Sequence, residues 1–355
     1  MEDSTDALAD RLFRDARGAL ELFTVYLGER LGFYRALAED GPMTSVELAA
    51  RTGTSERYVR EWLEHHAASG LLGVDDVTAD PLERRFALPA EHVPVFTDPD
   101  DERFGGYRAI DIARAARTLP DLVEAFRTGT APPSPPWEPE GRAAENRSTY
   151  LSRLGEEWLP AVPDVDRRLL AEPAARVADV ACGMGWSSIA MAKAYPRVSV
   201  AGFDLDADAI AEATRNARAE GLAGRVSFSV GDALAPPLTG PFDLVTILEG
   251  FHDLPRPVEA LRAVRGLLAA GGTVVLVDER VGDEFTAPAP ELERYHYAWS
   301  LLSCLPGAMG DPGTAATGAV MRLPTLRRYA EEAGFRTVEV LPIETETWRF
   351  YRLHL

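Results

Sequence analysis

The sequence predicts an α/β protein, a doubly wound and mainly parallel sheet, preceded by a small helical module of winged-helix pattern. Three observations predict it. From residue 176 onward, apolar β-rich runs alternate with amphipathic helical runs, the texture of strands buried on both faces and joined by crossover helices. Before residue 96, apolar residues recur at helical spacing and Gly53 separates two short helical runs. A length of 355 residues, 46% hydrophobic and 26% charged, suits about two globular domains.

The elements follow in chain order. Leu20, Leu22, Phe23, Tyr26, Leu27, Leu31, Phe33 and Leu37 form an apolar stripe at helical spacing. GPMTSVELAARTGTSERYVREWLEHHAASGLL then reads helix–turn–helix. Thr44 with Glu47 suits a capping box, Ser55 suits the second N-cap, and Gly70 ends the second helix. LLGVDD and RRFALP alternate like a short hairpin, the wing, which closes a module of residues 1–95. Residues 96–175 read as a helical connector around FGGYRAIDIARAARTLPDLVEAFRTG. Its segment APPSPPWEPEG (131–141) is expected as a loop, because five prolines in eleven residues remove backbone donors.

Residues 176–355 give the sheet domain. RVADVAC, VSVAGFD, RVSFSVGD, FDLVTILEG and TVVLVDE read as strands, with WSSIAMAKAY, ADAIAEATRNARAEG and PVEALRAVRGLLAAGG as the helices between them. Residues 283–320 stand as an insertion. LPTLRRYAEEAGF then forms a closing helix, and TVEVLPIE with TWRFYRLHL a final hairpin at the sheet edge.

Charge narrows the partners. The chain holds 37 Lys+Arg against 56 Asp+Glu, a formal net of −19, and Lys193 is its one lysine. Such a surface repels phosphate backbones and anionic headgroups. Residues 1–100 carry 10 Arg and 20 acids, and SERYVREWLEHH sets Arg57 and Arg60 against Glu56, Glu61 and Glu64. A duplex reader needs a cationic face, so neither nucleic acid nor membrane is expected as a partner. The chain opens MEDSTDALADRLFRD, without a basic start or apolar run, and nothing reaches membrane-spanning length. Cys182 and Cys304 are expected as free thiols, and the protein as cytoplasmic. The six histidines and two cysteines show no metal-ligand spacing beyond the adjacent His65 and His66, so no metal is expected.

The chemistry gathers at strand ends, where open α/β sheets bind ligands. DVACGMGWS (179–187) places Gly183 and Gly185 at the first strand-to-helix turn, where backbone bends tightly and a ligand approaches closely. It lacks the last glycine of a dinucleotide fingerprint, since Ser188 stands there. Asp179 lies inside the first strand. Asp204 closes the second, where a carboxylate takes ribose hydroxyls. Asp232 follows the third, suited to an adenine amino group, and Glu249 closes the fourth. Any one acid reads as a cap or a solvated group; four along one edge do not.

With these residues in hand, 176–355 resembles a class I S-adenosylmethionine-dependent methyltransferase, with its Rossmann-like seven-stranded sheet. DVACGMGWS matches the family's glycine-rich loop, VAGFDLD its ribose acid, GDAL its adenine acid, and LLAAGGTVVLVDE its fifth-strand segment. The resemblance implies S-adenosylmethionine as cofactor and S-adenosylhomocysteine as product. It implies contacts from Asp179, Ala181, Gly183, Gly185, Trp186, Ser187, Asp204, Leu205, Asp232, Ala233 and Glu249. Ala181 stands where the family usually has its first glycine, and is accommodated there if its φ is negative. GPMTSVELAARTG and REWLEHHAASGLL resemble the winged-helix N-terminal domain of small-molecule O-methyltransferases and of actinobacterial winged-helix methyltransferases. That likeness implies a homodimer through residues 1–95 and a cap over a small-molecule, secondary-metabolite-like acceptor.

ILEGFHDLPRP follows the fourth strand, facing the transferable methyl group. Methyl transfer from a sulfonium needs alignment and, where the acceptor carries a proton, a base. His252 suits that base by its ordinary pKa, with Asp253 as orienter, and O-methylation follows. A structural link to the next helix is the bland alternative. Glu249 as proton acceptor would point to C- or N-methylation instead. Further alternatives are a methyltransferase fold with non-methylating chemistry and a cofactor-sensing regulator. Tyr295, His296 and Trp299 in the insertion, with Tyr150 and Trp158 before the sheet domain, read either as an aromatic acceptor wall or as core.

Overall fold

A computed structural model describes residues 5–133, 142–311 and 313–355. Most of the proline-rich segment 131–141 therefore lies outside the described residues. The chain divides into two compact units, Met1–Arg117 with Glu140–Ser148, and Thr118–Pro139 with Thr149–Leu355.

In the first unit, helices Thr5–Leu31 and Phe33–Asp40 meet at Gly32, whose φ of 71° takes the left-handed turn that favours glycine. Thr44 and Glu47 close the expected capping box on helix Ser45–Thr52, and Gly53 ends it at φ 67°. Ser55 occupies the N-cap of helix Glu56–Ala68 but makes no side-chain cap bond. Strands β1 (Gly73–Val74) and β2 (Phe86–Ala87) pair antiparallel as the wing. The core gathers on Trp62: it stacks on His66 at 3.9 Å, crosses Phe33 and Tyr34 edge-on, and donates Nε1–H to the Thr24 carbonyl at 2.9 Å. Gly28 permits this, since a Cβ there would sit 2.5 Å from Trp62 Cζ2.

The apolar stripe on the first helix divides between two environments. Leu22, Phe23 and Tyr26 are half-buried, whereas Leu20, Leu27 and Leu31 are exposed; the helix's buried residues, Val25 and Gly28, lie outside the stripe as read. Helical periodicity reports an apolar face and not what covers it.

The second unit carries β3 (Arg176–Val180), β4 (Ser199–Asp204), β5 (Val226–Val230), β6 (Phe242–Leu248), β7 (Leu268–Glu279), β8 (Thr337–Val340) and β9 (Trp348–His354). They form one seven-stranded sheet in the order β5-β4-β3-β6-β7-β9-β8, the first five parallel and β9 antiparallel to both its neighbours. β9 inserts between β7 and β8, which leaves β8 as the edge. Central strands are buried along their length, such as β6, where all but Asp243 are buried. On one face Ala260, Leu261 and Val264 of helix Pro257–Leu267 and Leu326 of helix Leu323–Glu332 pack with Val245, Ile247 and Val274. The strand order reverses between β3 and β6, and it is outside the carboxyl ends of such a pair that the crevice opens.

Candidate functional site

β3 reaches that crevice through Asp179, which is 1% exposed. Its Oδ2 accepts Ser187 Oγ–H at 2.6 Å and Ser188 Oγ–H at 2.7 Å, and its Oδ1 accepts Thr246 Oγ1–H at 2.6 Å. Burial still raises its carboxyl above the ordinary range, against these three bonds and with Asp204 adding to the rise. Asp179 and Ser187, expected as cofactor contacts, are thus committed to each other. They lock β3, β6 and the start of helix Trp186–Ala194 into one frame.

Within that loop Ala181 has φ 55°, Gly183 φ 50° and Gly185 φ 80°. Ala181, which a negative φ would accommodate, instead occupies the left-handed conformation. Glu249, at the end of β6, does the same at φ 60°. The two loops meet, because a Cβ on Gly250 would lie 2.8 Å from the Cβ of Ala181. Gly185 is required for packing, its Cβ position being 2.4 Å from Phe228 Cζ, whereas above Gly183 the space is open. Trp186 and Ala233 are buried, and Leu205 is 73% exposed.

Asp204 ends β4 with its Oδ2 accepting Gly183 N–H and its Oδ1 accepting Asp206 N–H, both at 2.9 Å. Burial raises its carboxyl above the ordinary value against those backbone bonds. Asp232 is exposed and accepts Leu234 N–H at 2.9 Å. Loop 181–185, Asp204, Asp232 and Glu249 therefore stand along one sheet edge, as the strand-end spacing implies.

His252 lies in the turn after β6, 1% exposed. Its Nδ1 is 2.6 Å from Asp278 Oδ1 at the end of β7, and its Nε2 is 3.3 Å from Asp253 Oδ1. Burial opposes the imidazolium, but Asp278 and Asp253 outweigh it, and Cys304 adds a hydrogen bond, so the pKa stands well above the ordinary histidine value. The orienter assigned to Asp253 is better filled by Asp278, which is 1% exposed and closer; Asp253 is half-exposed. Asp278 and Cys304 are the two neighbours that sequence reasoning missed. Asp278 was readable as the last acid but one of TVVLVDE; for Cys304, 52 residues beyond His252, no local signal exists.

The aromatic candidates part company. Tyr150 and Trp158 are 6% and 2% exposed, with Trp158 edge-on to Trp348 at 5.3 Å and to Phe350 at 4.9 Å. They are core, not an open wall. On helix Glu291–Trp299, Tyr295 is 46% exposed and edge-on to Trp299 at 6.2 Å. His296 faces inward, 3.7 Å from Glu279.

Comparison with known proteins identifies the two domains. Residues 177–272 match the family described as "Methyltransferase domain", and residues 18–98 the "Rv2258c-like winged HTH domain". The trans-aconitate 2-methyltransferase of Streptomyces avermitilis is 29% identical over 162 residues, 45% of this chain and 56% of that protein. A Thermus thermophilus demethylmenaquinone methyltransferase is 36% identical over 29% of this chain and 46% of its own. The chain thus spans about half the length of these relatives. Human N-acetylserotonin methyltransferase, solved with S-adenosylmethionine, superposes with a TM-score of 0.69 at 18% identity over 100% of this chain and 99% of that one. The mitomycin 7-O-methyltransferase MmcR gives 0.67 at 20% identity, over 99% of each chain. The chain thus carries a methyltransferase domain and an Rv2258c-like winged-helix domain, and it shares the fold of these methyltransferase structures.

Proposed function

We propose that the protein transfers a methyl group from S-adenosylmethionine to a hydroxyl of a small organic acceptor, with His252 taking the hydroxyl proton. The observation that carries this reading is the placement of a buried, carboxylate-held imidazole on the edge that also bears loop 181–185 and Asp204. The residues fit the cofactor: Gly183 leaves open space above its backbone, and Asp204, fixed by two backbone N–H groups, retains acceptor capacity for sugar hydroxyls. When bound, the cofactor supplies an electrophilic methyl group on a good leaving group.

Asp278 accepts the Nδ1–H of His252 and so leaves Nε2 on the side of Asp253. The imidazole serves as base in its neutral form, which its raised pKa makes the minor one near neutrality, so turnover in this reading rises with pH. Once it has taken the acceptor's proton, Asp278 and Asp253 stabilise the resulting cation. Replacing His252 by Ala should cut turnover by about 10²–10⁴-fold, the range of a positioned base, while calorimetric affinity for S-adenosylmethionine stays unchanged. Unaltered turnover with methyl-labelled cofactor would remove the assignment.

The winged-helix unit serves assembly in this reading. Leu8, Leu12, Phe13, Leu20 and Leu27 of the first helix are 41–73% exposed, a long apolar face suited to a second copy of the chain. The arginines of the second winged-helix helix are tied to acids, Arg57 to Glu61 and Arg60 to Glu56. That leaves little positive surface for a duplex. Among the described residues no helix is long and apolar enough to cross a membrane.

A further inference from the structure

His252, Asp253 and Cys304 bring one nitrogen, one oxygen and one sulfur donor within 4.8 Å of one another. Among the described residues they are the one group of three such side chains that meets this spacing. Two come from the turn after β6 and the third from the end of the π-helical segment Ser300–Cys304. His252 and Cys304 are buried, and Asp253 is half-exposed at the mouth.

Which ring nitrogen points into this group is settled by geometry. Nδ1 is engaged by Asp278 at 2.6 Å, so Nε2 is the atom that faces Asp253. A histidine that ligates a metal characteristically gives its other N–H to a carboxylate, which fixes the ring and raises its donor strength. That supporting carboxylate is already in place here. It is 1% exposed, and its second oxygen, Oδ2, has no hydrogen-bond partner. Asp278 and Asp253, 2.6 Å and 3.3 Å from the two ring nitrogens, set negative charge on both sides of the imidazole.

The donor set selects the ion. A thiolate with an imidazole excludes magnesium and calcium, which take oxygen, and suits zinc and its neighbours. Metal–ligand lengths of about 2.0–2.3 Å put donors about 3.3–3.8 Å apart in a tetrahedron. Donors that lie within 4.8 Å of one another must therefore close by at most about 1 Å, and the half-exposed Asp253 side chain is free to rotate.

We propose that His252 Nε2, a carboxylate oxygen of Asp253 and Cys304 Sγ form a site for a zinc-class divalent cation, with the fourth position left to water. Binding releases the thiol proton of Cys304 and any proton on Nε2 to solvent, and forms the three metal–ligand bonds in their place. The occupied site engages the lone pair that His252 needs as a base. Metal and proton removal exclude each other, so the ion inhibits methyl transfer. The inhibition rests on the function proposed above; the binding does not.

The probe is cobalt(II), added to the full chain after chelator treatment and removal of the chelator. One equivalent should give a thiolate-to-cobalt charge-transfer band and tetrahedral visible bands, both abolished by zinc. The Cys304→Ser variant should lose the charge-transfer band and Cys182→Ser should keep it. Calorimetric binding of S-adenosylmethionine checks that each variant is folded. Should Cys304→Ser fail that check, Asp253→Asn at the exposed ligand takes its place, with an expected loss of at least about tenfold in cobalt affinity. No charge-transfer band in the wild type, or a band that survives Cys304→Ser, overturns the site. Saturating cobalt with unchanged methyl transfer overturns the inhibition alone. Absence of any methyl transfer would count against the proposed function and leave the spectroscopic result standing.

Discussion

Replacing Gly250 by Ala probes the strain stored where the two site loops meet. The new Cβ would lie 2.8 Å from the Cβ of Ala181, about 1 Å inside ordinary carbon–carbon contact. Both atoms are anchored directly to backbone, so only a backbone shift relieves the overlap. Overpacking of this kind costs about 1–3 kcal/mol. Ala181 already sits at φ 55°, which costs an L-residue about 1–2 kcal/mol. Ala181→Gly removes both the methyl group and that strain, but the freer unfolded chain returns about 0.5–1 kcal/mol of the gain. Ala181→Gly alone should therefore change stability by under about 1.5 kcal/mol, in the favourable direction. Gly250→Ala alone should lose about 1–3 kcal/mol, and the double variant should recover most of it. The coupling should be at least about 1 kcal/mol, within the range for residues in contact. Urea unfolding midpoints read the stability of the sheet unit. Calorimetry reads affinity for S-adenosylmethionine, where about 1.4 kcal/mol is a factor of ten. Additive effects of the two substitutions would refute the clash and, with it, the idea that Gly250 makes room for Ala181.

Three further outcomes follow from particular contacts. His66 is fully buried, its Nε2 2.8 Å from Tyr34 Oη and its Nδ1 3.0 Å from the Trp62 carbonyl; burial lowers its pKa to about 4. The unfolded chain binds this proton first, so its contribution is complete above pH 6.5 and falls away toward pH 4, by about 3 kcal/mol. His66→Gln should flatten that slope in urea titrations of the winged-helix unit, and an unchanged slope would locate the acid sensitivity elsewhere. Asp179→Asn should cost about 1–3 kcal/mol, because an amide cannot accept three hydroxyls as the carboxylate does; a thermal midpoint equal to wild type would contradict the locking role. Phe13→Glu with Leu20→Glu should turn a dimer into a monomer by light scattering with circular dichroism unchanged, whereas a monomeric wild type would dispose of the apolar face as an assembly surface.

What the sequence exposed, and what it hid, divides along a physical line. Asp204, Asp232 and Glu249 were legible because each breaks an apolar run at a strand's end, and parallel strands end along one edge. The capping box at Thr44 and Glu47 was legible because its three-residue spacing is the chemistry itself. The left-handed backbone of Ala181 was not, since an alanine carries no mark of a conformation imposed by the turn around it. Nor did the pattern of Tyr150 and Trp158 tell an acceptor wall from a core, because the deciding partners, Trp348 and Phe350, lie about 200 residues further along.

The same line explains why the place of His252 after the fourth strand was legible and its surroundings were not. An imidazole after the fourth strand is a local signal. Its character comes from Asp278 on a neighbouring strand and from Cys304 at the end of a π-helical segment, which only the folded sheet brings to it. A solvated histidine titrates near 6.5. One buried between two carboxylates holds its proton far more firmly, and the same pair of acids makes it a seat for a cation. Base and metal ligand are thus two uses of one lone pair on Nε2. Which one prevails depends on Cys304, since without a sulfur donor the group is an imidazole with acids on either side, an arrangement suited to moving protons. The net charge of −19 acquires a local meaning here: most of the acids only set the sign of the surface, while Asp253 and Asp278 flank a single imidazole.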